Sequence, residues 1–347
     1  MLAEFVKEAW YVAAWEHEVQ RLSLYRRLVL GEPIVLYRTP EGRAVALEDR
    51  CCHRHAPLSH GTLRGDRVVC AYHGLEFDPT GACVRVPSQN RIPQGARIRS
   101  YPVVEQDHFV WIWTGDPADA DPALVPDFLP LRDPAYRWRG ERLHVEGNYV
   151  LIIENLMDLT HLPVLHATTL ASSTIPDNEI PVCYSSNERE IRVDRRIEGT
   201  APPPYFRMLA GFEPNDRVDR WMNTRFVPPG SVFIDIGAAL SGTGASGSVD
   251  GRGVGTWNLN AITPETLTTT HYFWAQALDF ADEDASISEL DFQLVRSAFL
   301  EDLAIIKGQQ ENLDLDPGVP RVNLAADKAG VQARRLLQSM IKPANCQ

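Results

Sequence analysis

The stretch Cys51-Cys-His-Arg-His-Ala-Pro-Leu58, followed by Cys70-Ala-Tyr-His-Gly-Leu75, decides how the first third of the chain folds. Each segment places one cysteine and one histidine on a tight loop, first as C-x-H and then as C-x-x-H, with 16 residues between the pairs. Two thiolates and two imidazoles bind zinc, or an iron–sulfur cluster in which one iron takes both thiolates and the other both imidazoles. The spacing alone leaves both alternatives open. The candidate ligands are Cys51, His53, Cys70 and His73.

A second set of metal-binding residue types lies about a hundred residues later. Asn155, Asp158 and His161 recur every three residues, so on a helix predicted for Asn148–Leu162 they share one face. A proline then ends the helix and lets His166 turn back toward His161. Two histidines and a carboxylate form the facial triad of non-haem Fe(II) oxygenases, which leaves coordination positions open for O₂ and substrate.

The missing carboxylate is predicted on a long helix over Asp284–Asn312. Val295, Phe299, Asp302 and Ile306 lie at i, i+4, i+7 and i+11, which is one helical face. Asp302 is therefore an acid on an apolar stripe, and burying an unpaired carboxylate costs on the order of several kcal/mol. Metal coordination would remove that cost. A salt-bridged acid is the alternative, and the two upstream histidines favour the metal.

Strand and turn patterns divide the chain into two folded parts of an α+β protein. Residues 1–120 are predicted to form a small all-β domain, residues 121–135 a linker rich in Pro and Asp, and residues 136–347 a curved antiparallel sheet packed on long helices. A mobile loop is predicted over Ser241–Gly255. The predicted strands are Trp10–Ala14, Leu22–Leu30, Ile34–Tyr37 and His108–Trp113, then Arg189–Ile197, Arg217–Phe226, Val232–Ile236, Thr256–Ile262 and Thr268–Ala277.

Composition excludes several classes of partner. The net charge of −12 argues against nucleic acid or an anionic membrane as the main partner. The sequence contains no run of roughly 20 apolar residues that would span a membrane, and its N-terminus lacks the apolar core of a signal peptide. A cytoplasmic location is therefore predicted. Six cysteines among 347 residues do not form a disulfide scaffold.

These motifs resemble the oxygenase (alpha) component of the Rieske non-haem iron aromatic oxygenases. Its loops run C-x-H-R-x-A-P-L and C-x-Y-H-G, and it carries N-x-x-D-x-x-H-x(3–4)-H, matched from Asn155 to His166, and a late Glu-Asp pair, matched by Glu301-Asp302. The resemblance favours a Rieske [2Fe–2S] cluster over zinc, and implies a C-terminal catalytic domain of the helix-grip type. It implies cluster ligands Cys51, His53, Cys70 and His73, and mononuclear Fe(II) ligands His161, His166 and Asp302.

The resemblance also assigns roles around the iron. Asp158, with Asn155 beside it in the motif, resembles the catalytic aspartate that bridges an iron-ligand histidine to a cluster-ligand histidine of the next subunit, so a head-to-tail homotrimer is expected. The chain lacks a G-x-G-x-x-G fingerprint after a strand and a plant-type cluster motif. An NAD(P)H-dependent reductase of ferredoxin type, with or without a separate ferredoxin, is therefore expected to supply electrons. His55 and His60 are expected to be loop residues, because the ligand set is full without them.

One branch of the family fits best. Ala9–Ala14 and Val110–Pro117 look like vanillate and dicamba O-demethylases, whereas Arg50–Arg54 and Ser241–Ala245 look like toluenesulfonate methyl-monooxygenase. This implies hydroxylation of a methyl or methoxy carbon on an aromatic acid by O₂. The alternatives are cis-dihydroxylation of the ring and, as a non-enzyme, a Rieske-type electron carrier.

The substrate pocket is less well defined by sequence. Its walls are expected from the strands around Val232–Ile236 and Asn258–Ile262 and from the late helix. An anionic substrate would require a cation, for which Arg207, Arg220 and Arg225 are candidates.

Overall fold

The computed structural model describes residues 4–167, 170, 182–244, 253–279 and 286–341. The chain forms two compact units, and the chain passes from one to the other between Asp127 and Phe128. The N-terminal unit is Phe5–Asp127 with the segment Thr263–Thr266, and the C-terminal unit contains Phe128–Ile262 and the chain from Leu267 onward. Within the described ranges, no helix is both long and apolar enough to cross a lipid bilayer.

The N-terminal unit is built from three small antiparallel sheets, with strand orders β1-β11-β10, β2-β3-β4-β9 and β5-β6-β7-β8. Every residue of β1 and β11 is buried, because both faces of this pair are covered. The segment Thr263–Thr266 contacts this unit through Thr263, whose hydroxyl donates to the carbonyl of Val12 at 2.8 Å. The strands are β1 Trp10–Trp15, β2 Tyr25–Val29, β3 Glu32–Arg38, β4 Ala44–Glu48, β5 Thr62–Arg64, β6 Arg67–Val69, β7 Glu76–Phe77, β8 Cys83–Arg85, β9 Ser100–Tyr101, β10 Val103–Gln106 and β11 Phe109–Trp113.

The C-terminal unit is a seven-stranded antiparallel sheet of order β12-β18-β17-β16-β15-β14-β13, packed on helices. The strands are β12 Arg137–Val145, β13 Val182–Ser186, β14 Ile191–Thr200, β15 Val218–Val227, β16 Ser231–Leu240, β17 Val254–Pro264 and β18 Thr270–Leu278. The helices are α1 Leu129–Arg132, α2 Tyr149–Met157, α3 Leu162–Leu165, α4 Pro204–Ala210, α5 Ser286–Leu315 and α6 Lys328–Met340. The predicted α+β architecture, a β-rich unit followed by an antiparallel sheet with long helices, is confirmed.

Aromatic side chains fix α5 on the sheet. Trp274 of β18 stacks on Phe292 with ring centroids 4.8 Å apart, and meets Phe299 edge-on at the same separation. Large rings of this kind bury the most apolar area per residue. They hold the first half of α5, which leads to Asp302, against the middle of β18.

The helix predicted over Asn148–Leu162 is wrong beyond Met157. Asn148 does cap α2, since its side-chain oxygen accepts the N–H of Val150 at 3.0 Å. Asp158 then leaves the helical conformation, with φ −119° and ψ 102°, and its carboxylate accepts the N–H of Thr160 at 3.0 Å to cap a new turn. Asp favours such caps over helix interiors, because its short side chain competes for nearby backbone N–H groups. Pro163 does not break a helix: it lies in the first turn of α3, where a proline is tolerated.

Most predicted strands begin and end close to the observed ones, but some elements were not predicted. In the N-terminal unit β4 to β10 were not predicted, and in the C-terminal unit α1, α3, α4, α6, β12 and β13 were not. Most of the predicted Ser241–Gly255 loop lies outside the described residues. The buried face of α6 consists largely of small residues, among them Ala329, Gly330 and Ala333. Gly330 lies against Glu154 of α2, where an added Cβ would meet the Glu154 Cγ at 3.2 Å.

Candidate metal centres and active-site cavity

The two Cys/His loops share one backbone design. The N–H of Cys51 donates to the carbonyl of Ala56 at 2.9 Å, and that of Cys70 donates to the carbonyl of Leu75 at 2.8 Å. In each loop the residue four positions after the cysteine closes the turn with a positive φ, 57° at His55 and 72° at Gly74. His55 therefore occupies the position that Gly74 occupies in the other loop. This backbone role agrees with the prediction that it is a loop residue.

The candidate cluster ligands are divided between interior and surface. Cys51 and Cys70 are buried, whereas His53 and His73 are exposed with their ring centroids 4.5 Å apart. Burial, followed by the nearby Cys70 thiol, raises the pKa of Cys51 to about 11. A Rieske cluster places its thiolate-bound iron on one side and its imidazole-bound iron on the other. Two thiols inside and two imidazoles outside fit that asymmetric donor set.

Three donors from separate elements meet in the C-terminal unit. His161 ends the 3₁₀ turn that Asp158 caps, His166 follows α3, and Asp302 lies in the middle of α5. The Nε2 atoms of His161 and His166 are 3.5 and 3.3 Å from the two carboxylate oxygens of Asp302. One ligand atom from each residue lies within 4.8 Å of the others. This is the spacing and chemistry of a 2-His-1-carboxylate iron site.

Each of the three donors also forms a hydrogen bond with a further group that fixes its orientation. The Nδ1 of His161 lies 2.7 Å from the backbone carbonyl of Asp158, and the Nδ1 of His166 lies 2.7 Å from a carboxylate oxygen of Glu301. Because a carbonyl and a carboxylate accept, the Nδ1 of each imidazole donates to it, which leaves Nε2, on the side of Asp302, as the nitrogen available to a metal. Asn155 donates from its side-chain nitrogen to Asp302 at 2.9 Å.

The acidic groups on both sides of the His166 ring shift its pKa. Burial alone would lower the pKa of His166, but hydrogen bonds to Asp302 and Glu301 outweigh it, and the pKa is raised. Two imidazoles pointing at one buried carboxylate fit a divalent metal, because a cation among them would satisfy all three donors at once.

The structure places the sequence-predicted residues of the iron site close together. One contact differs from the prediction, and another was not predicted. Asn155 contacts Asp302 as part of the site, whereas Asp158 reaches His161 through its backbone carbonyl and not through its carboxylate. The contact of Glu301 with His166 was not predicted. The adjacent Glu-Asp pair was a signal, but sequence alone does not show which imidazole a neighbouring acid would reach.

A cavity opens from the three donors into the C-terminal unit. It contains about 770 Å³ not filled by protein atoms, its mouth included. Its walls include Ile234 and Ile236 of β16, Asn258 of β17 and Phe299 of α5, which are the regions expected from the sequence. Of the three candidate arginines, Arg220 lines the cavity. Arg207 is exposed, and the Arg225 guanidinium lies over the ring of Phe233 at 4.4 Å and does not line the cavity.

Comparison with known proteins matches each of the two units to a domain family. Residues 9–102 match the Rieske [2Fe–2S] domain, and residues 145–343 match the C-terminal domain of vanillate O-demethylase oxygenase. The chain is 40% identical to the iron–sulfur subunit of the toluene-4-sulfonate monooxygenase system of Comamonas testosteroni, over 98% of both chains. It is 36% identical to a vanillate O-demethylase oxygenase subunit from a Pseudomonas strain, over 97% of this chain and 95% of that one. A crystal structure of dicamba monooxygenase with non-haem iron and dicamba is 34% identical and covers 97% of this chain and 98% of its own, with a TM-score of 0.81.

The chain belongs to the Rieske oxygenases of the vanillate O-demethylase type. The predicted family and the prediction of an oxygenase component of a multicomponent monooxygenase are thereby confirmed. The Rieske match confirms the predicted [2Fe–2S] cofactor, and the similarity to an iron-containing structure supports the predicted mononuclear iron.

Replacing Asp302 tests the mononuclear site of this oxygenase. We expect Asp302→Ala to lower iron from about three to about two per chain, the number a [2Fe–2S] cluster alone requires. Iron and sulfide analysis of anaerobically purified protein measures this, with the cluster absorbance as an internal reference. Asp316→Ala, an exposed acid just beyond α5, is the matched control. Unchanged iron in Asp302→Ala would show that another residue supplies the carboxylate.

Replacing Glu301 tests the outer support of His166. We expect Glu301→Ala to weaken Fe(II) affinity by about 10- to 100-fold, as is typical when a histidine ligand loses its carboxylate acceptor. An anaerobic Fe(II) titration against a competing chelator measures the affinity. Glu311→Ala, an exposed acid on the same helix, should behave as wild type. Equal affinity in all three proteins would remove Glu301 from the site.

Proposed function

We propose that this oxygenase hydroxylates a methyl or methoxy carbon of an aromatic acid. The observation that carries the proposal is that His161, His166 and Asp302 all line one largely apolar cavity. A facial triad leaves coordination positions free, and here the space beside the triad is lined by the apolar side chains that an aromatic ring requires. The similar proteins named above act, by name, on toluene-4-sulfonate, vanillate and dicamba.

Two groups of residues are proposed to hold the cofactors. Cys51, His53, Cys70 and His73 would bind the cluster, and His161, His166 and Asp302 would bind Fe(II). When bound, the cluster supplies single electrons and the ferrous ion activates O₂ for insertion into a C–H bond. Glu301 and the Asp158 carbonyl hold the two imidazoles with Nε2 facing inward, and Asn155 holds the Asp302 carboxylate. These residues prepare the donors before substrate arrives, so little reorganisation is needed.

The proposed reaction balances as a monooxygenation. One oxygen atom of O₂ enters a C–H bond, and the other leaves as water with two electrons and two protons. A methyl group becomes a hydroxymethyl group. A methoxy group becomes a hemiacetal, which breaks its carbon–oxygen bond to release formaldehyde and leave a phenol. The same site would therefore account for both methyl hydroxylation and O-demethylation.

Electrons must come from another component, since the similar proteins are components of multicomponent systems. The proposed donor is an NAD(P)H-dependent reductase of ferredoxin type, with or without a separate ferredoxin. His53 and His73 are exposed, and they offer the short approach to the surface that transfer from such a partner requires.

Asp158 is the proposed connection to a second copy of the chain in a head-to-tail trimer. Its carbonyl accepts from His161, while the half-buried residue also lines an open cleft on the other side of that histidine. Asp158 thus holds a proposed iron-ligand imidazole through its carbonyl and lines a cleft where a cluster histidine of the neighbouring subunit could dock. In this proposal an electron from the neighbouring subunit enters through Asp158.

The products decide between the proposed reaction and ring oxygenation. With a surrogate reductase, we expect formaldehyde from 3-methoxybenzoate, a hydroxymethyl product from toluene-4-sulfonate and no diol from benzoate. Formaldehyde assay and mass spectrometry of the aromatic product measure these outcomes. A cis-diol from benzoate, with no oxidation of methyl or methoxy groups, would show dihydroxylation and contradict the proposal.

The route through Asp158 makes a separate prediction. We expect Asp158→Asn to keep the cluster absorbance and the iron content but to lose about 10- to 100-fold in turnover, because the neutral amide removes the charged bridge. Stopped-flow reoxidation of the reduced cluster in the presence of substrate and O₂ should slow in parallel. Asp327→Asn, which lines the same cleft, is the control. Full activity in Asp158→Asn would exclude Asp158 from the electron route.

A further inference from the structure

The charged groups of the cavity are few. Among the described residues that line it, the formally charged or readily ionised side chains are the triad and Arg220. The triad is committed to the metal in the proposed function. Arg220 is therefore the charged group of this cavity that the reaction itself does not use.

The strand places Arg220 in the cavity by alternation. Arg220 and Met222 of β15 both line the cavity, whereas Trp221 between them points to the opposite face, where its indole N–H donates to Asp235 at 2.8 Å. Opposite Arg220 on β16 is Ala238, whose small side chain leaves room beside the guanidinium. The Arg220 guanidinium also lies over the ring of Phe206, 5.5 Å from its centroid, and Phe206 lines the same cavity.

Burial dominates the electrostatics of Arg220. The side chain is 4% exposed, and burial lowers its pKa to about 10. At pH 7 the guanidinium still carries its proton. A buried cation of this kind is stabilised most by an anion that enters beside it.

Three other polar side chains that line the cavity form hydrogen bonds with each other or with a buried acid. The hydroxyl of Tyr205 donates to the buried Asp291 at 2.6 Å, and the side-chain nitrogen of Asn258 donates to Gln276 at 3.2 Å. Tyr205, Asn258 and Gln276 all line the cavity. This hydrogen-bonded wall fixes the shape of the cavity but adds no positive charge. Among the described residues that line the cavity, Arg220 is the cation outside the proposed metal-binding set, and it favours an anionic ligand.

We infer that Arg220 binds the carboxylate or sulfonate of the substrate and so selects aromatic acids over neutral aromatics of the same shape. This inference rests on the proposed function. A guanidinium forms two parallel hydrogen bonds with the oxygens of such a group, whereas an ammonium acts as a point charge. Arg220 is thus a specificity-determining residue, and Arg207 and Arg225 are not.

The test compares charged and neutral ligands on the same protein. Calorimetry on the anaerobic, iron-loaded enzyme gives Kd for 3-methoxybenzoate, toluene-4-sulfonate and the neutral 3-methoxybenzamide. We expect Arg220→Met to raise Kd for both acids by at least about 30-fold, the size of effect seen when one member of a buried charge pair is lost. The Kd of the amide should change little. Arg220→Lys should recover part of the affinity for the acids, and Arg225→Met should match wild type.

Two control measurements separate a loss of ligand binding from a loss of folding or of iron. Circular dichroism and iron content show whether each variant is folded and loaded, and Arg220→Lys, which keeps the charge, serves if Arg220→Met does not fold. Equal Kd for the acids in wild type and Arg220→Met would overturn the inference, as would a wild-type enzyme that binds the amide as tightly as the acid. Because binding is measured without turnover, failure of the proposed reaction in the product assay is a separate outcome.

Discussion

A buried carboxylate facing two imidazoles is the constraint on which the C-terminal unit depends. Asp302 is buried in the middle of α5, and an uncompensated carboxylate there would destabilise the fold. Compensation comes from Asn155 of α2 and from the two histidines that follow α2, so three chain segments must converge on one point of α5. The aromatic contacts of Trp274 hold α5 on the sheet at that level. Packing and metal chemistry therefore determine the same geometry.

Physical reasoning from the sequence correctly predicted that Asp302 is a buried acid. The helix that was predicted to bring His161 into the site was too long. An acid on an apolar helical stripe is informative because burial makes it costly, and that logic does not depend on helix ends. Asn155, Asp158 and His161 were placed on one continuous helix, yet the helix ends before Asp158. The residues still assemble because the cap at Asp158 turns His161 inward and leaves its own carbonyl to accept from that imidazole. Local hydrogen bonding, not helical periodicity, positions this ligand.

Other features could not be predicted, because their signals are tertiary. The charged residues in β12 obscure its strand pattern, since the strand is stabilised by its neighbour β18 rather than by a strictly alternating face. The buried face of α6 is made largely of small residues that permit close approach to α2, so few large apolar side chains mark it in the sequence. The segment Thr263–Thr266 begins with the last two residues of β17 but groups with the N-terminal unit. Glu301 needed the position of His166 before its role was visible.

Histidine side chains serve two different purposes in this chain, and their surroundings distinguish the two. The imidazoles of His53 and His73 are exposed on loops whose thiols are buried, so in the proposed function these rings form the part of the cluster site that another protein can approach. Those of His161 and His166 have their Nδ1 atoms held by acceptors and face a cavity of apolar walls. In the proposed function, electrons arrive at an accessible surface while C–H oxidation takes place in a cavity of largely apolar walls. In our inference Arg220, a buried cation that lines this cavity, binds the acidic end of an aromatic acid.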